Sequence, residues 1–221
     1  MTKARQKLAE QLAEAVAQAL SEDLERQERA LLIVSGGSTP VPFFKALATK
    51  LLAWERIDIT LADERWVDEH SSDSNAKLVR DNLLQGNAAA AHFVPLTSKA
   101  STPEEGVAEV AERTASLAWP ASVVVLGMGG DGHTASLFPD SQELGLALAT
   151  DEPLVAVRTP SQPQPRITFS AASLHQANRH ILHITGDDKR AVLANALNGD
   201  DVRQLPIRAF LSCPLAIYWA P

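Results

Sequence analysis

The chain has 221 residues, 45% of them hydrophobic, and a formal charge of −7 from 20 basic and 27 acidic side chains. That length and apolar content suit one large domain with an ordinary core, taken here as residues 1–221. The acidic balance excludes a non-specific nucleic-acid binder, although a few local Arg and Lys residues are enough to hold one small anion.

From the N-terminus, Leu8, Leu12, Val16 and Leu20 recur four apart, which predicts an amphipathic helix over residues 3–20. Ala30 to Val34 reads as a short apolar strand. Ser35-Gly36-Gly37-Ser38-Thr39 makes a turn, and Pro40 can open a helix running to Ala53. Ile57 to Leu61 is a second strand that ends in Asp63-Glu64-Arg65. Ser74-Asn75 can cap a helix reaching Leu84. His92 to Pro95 reads as a short strand and Pro103 to Leu117 as a helix. The β-branched run Ser122 to Leu126 is a strand that leads straight into a glycine loop. Leu154–Val157, Arg166–Phe169 and Arg179–Thr185 read as strands, Asp187–Leu197 as a helix and Leu215–Trp219 as a closing strand. This alternation predicts an α/β fold with a mainly parallel sheet covered on both faces. The proline-rich stretch 159–165 lies between two of these strands and reads as a loop near the site.

Cys213 is the only cysteine, so no intrachain disulfide forms, as in a reducing compartment. The longest apolar run, Ala121 to Met128, is too short to span a bilayer, and Met1 to Glu10 lacks an apolar signal core. The expectation is a cytoplasmic protein without nucleic-acid or membrane partners, a monomer or weak homodimer.

Two turns carry the chemical signals. Gly36 and Gly37 let backbone N–H groups approach an anion at a helix start, where the helix dipole favours phosphate, and Ser38 and Thr39 add hydroxyl donors. The same residues also fit an ordinary capping turn. A nucleophile elbow at Ser38 is a third reading, but Pro40 sits where that motif needs its last glycine.

Gly127, Gly129 and Gly132 spell a G-x-G-x-x-G pattern after a strand. Against a dinucleotide loop, Pro139 interrupts the long helix that must follow, and Asp131 would set a carboxylate against a pyrophosphate. The loop instead holds Asp131 and His133 at the carboxyl end of a strand, the edge where open parallel sheets bind ligands. A neutral imidazole, with an ordinary pKa of about 6.5, accepts a proton from water, and a nearby carboxylate orients the ring. A loop histidine with a structural hydrogen bond is the plainer alternative. His70, His92, His175, His180 and His183 are scattered along the chain, and their spacing predicts no metal cluster. Arg65, Arg166 and Lys189 lie at element ends; Lys189 sits at a helix start, where a cation opposes the dipole.

With these elements in order, the chain resembles the glucosamine-6-phosphate isomerase/6-phosphogluconolactonase family over most of its length. The resemblance rests on residues 35–40, Asp63-Glu64-Arg65 with Ser74-Asn75, the long motif from Gly127 to Pro139, Arg166-Ile167-Thr168 and Gly186-Asp187-Asp188-Lys189. The long motif is highly specific and the others add weight through their order. The resemblance implies a modified Rossmann-like, three-layer fold, as in glucosamine-6-phosphate deaminase. It implies hydrolysis of a phosphorylated sugar lactone in the pentose phosphate pathway, without metal or other cofactor. His133 would be the base that activates water, supported by Asp131. Gly36, Gly37, Ser38, Thr39, Asp63, Arg65, Gly129, Arg166 and Lys189 would bind the substrate. The deaminases carry an Asn-Glu-Pro sequence after the histidine motif, and its acid helps to open the sugar ring. Here Leu137-Phe138-Pro139 stands there, which disfavours a deaminase. Asp68 follows Val67 where lactonases often have proline, a departure confined to loop shape. A non-catalytic sugar-phosphate sensor is the remaining alternative, and the acidic charge weighs against its usual DNA-binding segment.

Overall fold

In the computed structural model, which describes residues 2–221, the first helix begins where Thr2 accepts a hydrogen bond from the Arg5 N–H. That helix, α1 (Lys3–Leu24), buries Leu8, Leu12, Val16 and Leu20, the stripe that its spacing predicts. The chain then runs β1 (Ala30–Val34), α2 (Val41–Ala48), β2 (Ile57–Leu61), β3 (Asp63–Arg65), α3 (Asn75–Asn82), β4 (His92–Val94), α4 (Pro103–Ala115) and β5 (Val123–Leu126). There follow α5 (Leu144–Ala149), β6 (Leu154–Val157), β7 (Arg166–Phe169), α6 (Ala171–His175), β8 (His180–Thr185), α7 (Asp187–Leu197), α8 (Arg208–Leu211) and β9 (Leu215–Ala220).

Six strands form a wholly parallel sheet in the order β4-β2-β1-β5-β8-β9. β1, β2 and β5 are buried along their whole length, because helices cover both faces. Strand β8 shows the layering: the His183 ring meets Phe43 of α2 on one face, and the His180 ring meets Phe210 of α8 on the other. From β1 the chain steps outward through β2 to β4, and from β5 it steps the other way through β8 to β9. The direction of winding therefore reverses between β1 and β5. A crevice opens at such a switch point, outside the carboxyl ends of the strands.

Two expectations need correction. Asp63-Glu64-Arg65 does not end the second strand; it forms β3 in a separate antiparallel sheet of order β3-β7-β6. The hand-over occurs at Ala62, whose N–H still donates to Val34 O at 2.8 Å while its carbonyl accepts from the Phe169 N–H at 3.0 Å. The second helix is also shorter than expected. It starts after Pro40 and stops at Ala48, where the Thr49 hydroxyl donates to Ala46 O and the next N–H groups tighten into i→i−3 bonds. Among the described residues, no helix is long and apolar enough to cross a membrane.

Candidate active site

Both glycine turns open at the switch point: the first leaves β1 and the second leaves the adjacent β5. The Ser35 hydroxyl ties them together by accepting the Gly127 N–H at 3.3 Å. Between them lies a cleft of about 280 Å³, lined by both turns and by residues from β3, β7, β8 and α7. Gly36, Gly37, Ser38, Thr39, Asp63, Arg65, Gly129, His133, Arg166 and Lys189 all line it. Asp131, the other nominated residue, stands behind His133.

The glycine loop is built around that pair. The Gly129 N–H donates to His133 O at 2.9 Å, which folds the loop back on itself. His133 Nδ1 lies 2.5 Å from Asp131 Oδ1, and the His133 backbone N–H donates to the same oxygen at 3.1 Å. A carboxylate only accepts, so Nδ1 carries the proton and Nε2 carries the lone pair. Burial alone would raise the Asp131 carboxyl pKa, but the hydrogen bond and charge of His133 outweigh it and hold that pKa below the usual value. Gly129 makes room for the pair, because a Cβ there would fall 2.1 Å from His133 Nδ1 and 2.7 Å from Asp131 Oδ1. No long helix follows the loop, since α5 starts only at Leu144. The feature that a dinucleotide loop requires is thus missing.

Phe138 braces the site from below. Its ring centroid is 4.4 Å from that of His133, and the Arg166 guanidinium lies 5.2 Å from the same ring. Arg166 is also paired with Asp63 at 3.6 Å, and Asp63 accepts a 2.6 Å hydrogen bond from the Ser136 hydroxyl. Burial lowers the Arg166 pKa and Asp63 opposes that shift; a guanidinium still stays charged.

Arg65 is positioned from the opposite wall. Its Nη1 donates to Asn75 Oδ1 at 2.6 Å, and Asn75 Nδ2 donates to Asp63 O at 3.0 Å. Glu64 points away from the cleft and fastens this wall to α3. Its carboxyl oxygens accept the backbone N–H groups of Arg65, Asn75 and Ala76 at 2.7–2.8 Å and the Ser74 hydroxyl at 3.2 Å. Burial nonetheless raises the Glu64 pKa, against the lowering by those N–H groups. Asn75 presses on the first turn, where a Cβ on Gly36 would lie 1.9 Å from Asn75 Oδ1. Lys189 sits in the first turn of α7, half-buried, with no ion-pair partner among the described residues. Among the described residues, Ser38 and Thr39 make no side-chain hydrogen bond and α2 has no side-chain cap, so both hydroxyls line the cleft uncommitted. In particular, no base among the described residues is bonded to Ser38.

The matching family model, glucosamine-6-phosphate isomerases/6-phosphogluconolactonase, covers residues 3–219. The chain belongs to this family. Within it, a 6-phosphogluconolactonase of Rhizobium meliloti is 46% identical over 219 residues, spanning 97% of this chain and 94% of the relative. A solved 6-phosphogluconolactonase of Shewanella baltica superposes with a TM-score of 0.97 at 42% identity, covering 98% of this chain and 94% of that one. A monomeric glucosamine-6-phosphate deaminase shares the fold alone, with a TM-score of 0.78 at 17% identity over 97% of this chain and 93% of that one. The modified Rossmann-like architecture expected of the family is therefore present.

Several contributors escaped the sequence reading. Ser136 and Phe138 lie inside the specific motif, but nothing in the motif says that one holds Asp63 and the other supports His133. His183 lines the cleft from β8; burial pushes its pKa down to about 4, and its Nδ1 has no partner among the described residues. A histidine set between Leu182 and Ile184 within a strand was the available signal.

Proposed function

We propose that the protein is a 6-phosphogluconolactonase that hydrolyses 6-phospho-D-glucono-1,5-lactone to 6-phospho-D-gluconate. It would act as a single domain in the cytoplasm, in the oxidative pentose phosphate pathway. The observation that carries this reading is the His133–Asp131 pair facing a cleft that also holds Arg65, Arg166 and Lys189. The names of its relatives point to the same lactone.

In this mechanism the substrate phosphate binds Lys189, the Ser38 and Thr39 hydroxyls and free N–H groups at the start of α2. That anchorage brings the lactone carbonyl to His133. His133 Nε2 takes a proton from water as the water oxygen bonds to the carbonyl carbon. Arg65 or a glycine-loop N–H stabilises the oxyanion. As the tetrahedral intermediate collapses, the bond to the ring oxygen breaks and the imidazolium returns its proton to that oxygen. Asp131 stabilises the imidazolium and fixes its tautomer. The acid released ionises to the gluconate. General-base catalysis of this kind contributes about 10²–10⁴-fold, and one oxyanion donor about 10²–10³-fold. Sugar lactones also hydrolyse spontaneously, so these two terms meet the demand without a covalent intermediate.

The deciding experiment is lactone hydrolysis, corrected for spontaneous decay, on phosphorylated and unphosphorylated gluconolactone. Fast turnover of the phosphorylated substrate and slow turnover of the other are expected. Binding without turnover would instead identify a sensor.

A further inference from the structure

A second group of metal-ligating side chains gathers at the opposite end of the sheet. His175 closes α6, His180 opens β8 and Cys213 lies in the link from α8 to β9. One potential ligand atom from each lies within 4.8 Å of the other two. The strands are parallel and the cleft lies at their carboxyl ends, so the first residue of β8 is remote from it.

Two of the three, His180 and Cys213, are each tied to a backbone carbonyl. His180 is buried, and its Nε2 donates to Leu174 O at 2.9 Å, which leaves the lone pair on Nδ1. A backbone carbonyl that fixes the tautomer in this way is the usual support of a ligating imidazole. The Phe210 ring stacks on His175 at 4.7 Å and 28°. The Cys213 thiol faces Phe210 O at 2.9 Å from the same α8 segment.

We propose that His175, His180 and Cys213 form a binding site for a divalent transition-metal ion of the zinc class. Two imidazoles and one thiolate make a borderline-soft donor set, which selects such an ion over magnesium or calcium. Metal–ligand bonds of about 2.0–2.3 Å set tetrahedral donors about 3.3–3.8 Å apart, so the trio needs to draw in by about 1 Å. His175 is exposed and ends its helix, so it is free to make that movement. On binding, the S–H bond of Cys213 breaks, its proton passes to solvent and the sulfur pair bonds to the ion. Water fills the open fourth position. The ion would tie α6, β8 and the approach to β9 together, and it plays no part in the hydrolysis.

Cobalt titration of the full chain tests the site, because Cys213 is the only cysteine and a thiolate-to-cobalt charge-transfer band reports on it alone. The band is expected with the unaltered protein at one equivalent of Co²⁺, and equally with His133→Ala. It should vanish in Cys213→Ser, and His175→Ala should bind Co²⁺ at least about tenfold more weakly. Circular dichroism checks that both variants fold. The absence of the band from the folded unaltered protein would overturn the site, as would undiminished binding by His175→Ala.

Discussion

The Cα of Gly129 lies so close to the His133 imidazole that a Cβ added there would sit 2.1 Å from Nδ1. Gly129→Ala must therefore push the ring, and with it Nε2, the proposed proton acceptor, out of place. A displacement of about 1 Å at a reacting group costs about 10²-fold in rate. We expect kcat for the phosphorylated lactone to fall by that order while the fold persists. Unchanged turnover would show that the position of the ring does not limit the reaction.

His133→Ala removes the proposed base, and turnover should drop by about 10²–10⁴-fold toward the spontaneous rate. The Asp131 carboxyl is held below its usual pKa and stays ionised at mildly acidic pH. Loss of activity on mild acidification would therefore not come from protonation of Asp131. Near-normal turnover by His133→Ala, measured above the spontaneous background, would contradict the assignment of His133.

Lys189 has neither an acidic partner nor a side-chain hydrogen bond among the described residues, which makes it the most available cleft charge for a phosphate. Hydrogen bonds to charged groups contribute about 1.5–3 kcal/mol. Lys189→Met should therefore lower kcat/KM for the phosphorylated lactone by about 10–100-fold and leave the unphosphorylated one nearly unaffected. An equal loss on both substrates would take the phosphate away from Lys189.

The Glu64 carboxyl is surrounded by donors: three backbone N–H groups and one hydroxyl. In Glu64→Gln an NH₂ must confront at least one of them. The expected cost is about 1–3 kcal/mol in chemical denaturation, with a raised KM because Arg65 and Asn75 lose their anchor. A variant as stable as the parent would mean that this wall is held elsewhere.

His183 makes folding stability depend on pH. Its folded pKa is depressed from 6.5 to about 4 by burial. Above pH 6.5 the ring is neutral in both states, and the stability is fully present. As the pH falls from 6.5 toward 4, the unfolded chain takes up a proton that the folded chain refuses, so stability declines. A shift of that size corresponds to about 3 kcal/mol. Denaturation across this range should show a shallower acid loss in His183→Leu, and an identical slope would refute the linkage.

The parts of the site that could be read from the sequence are those held within one loop. Asp131 and His133 are two residues apart, and the first turn is continuous from Ser35 to Thr39, so local spacing was enough. What remained hidden depends on distant pairing. β3 follows β2 after only Ala62, and its membership of another sheet is decided by β7, about a hundred residues later. The Ser136 bond to Asp63 crosses 73 residues of sequence. The short helices α5, α6 and α8 leave too few turns for a 3.6-residue period to show. The grouping of His175, His180 and Cys213 is likewise a product of three separate elements.

Phe138 bears on how the two chemistries of this family can diverge. It occupies the position that the family resemblance aligns with the ring-opening acid of the deaminases. Here its ring is 1% exposed and supports both His133 and Arg166. Exchanging it for glutamate would remove that support and bury a carboxylate beside the guanidinium of Arg166, which already answers Asp63. A single substitution therefore passes through a sequence that has lost the braced base without acquiring a working acid. A change from the proposed hydrolysis toward deamination would therefore have to involve the neighbours of Phe138, His133 and Arg166 among them, as well as Phe138 itself.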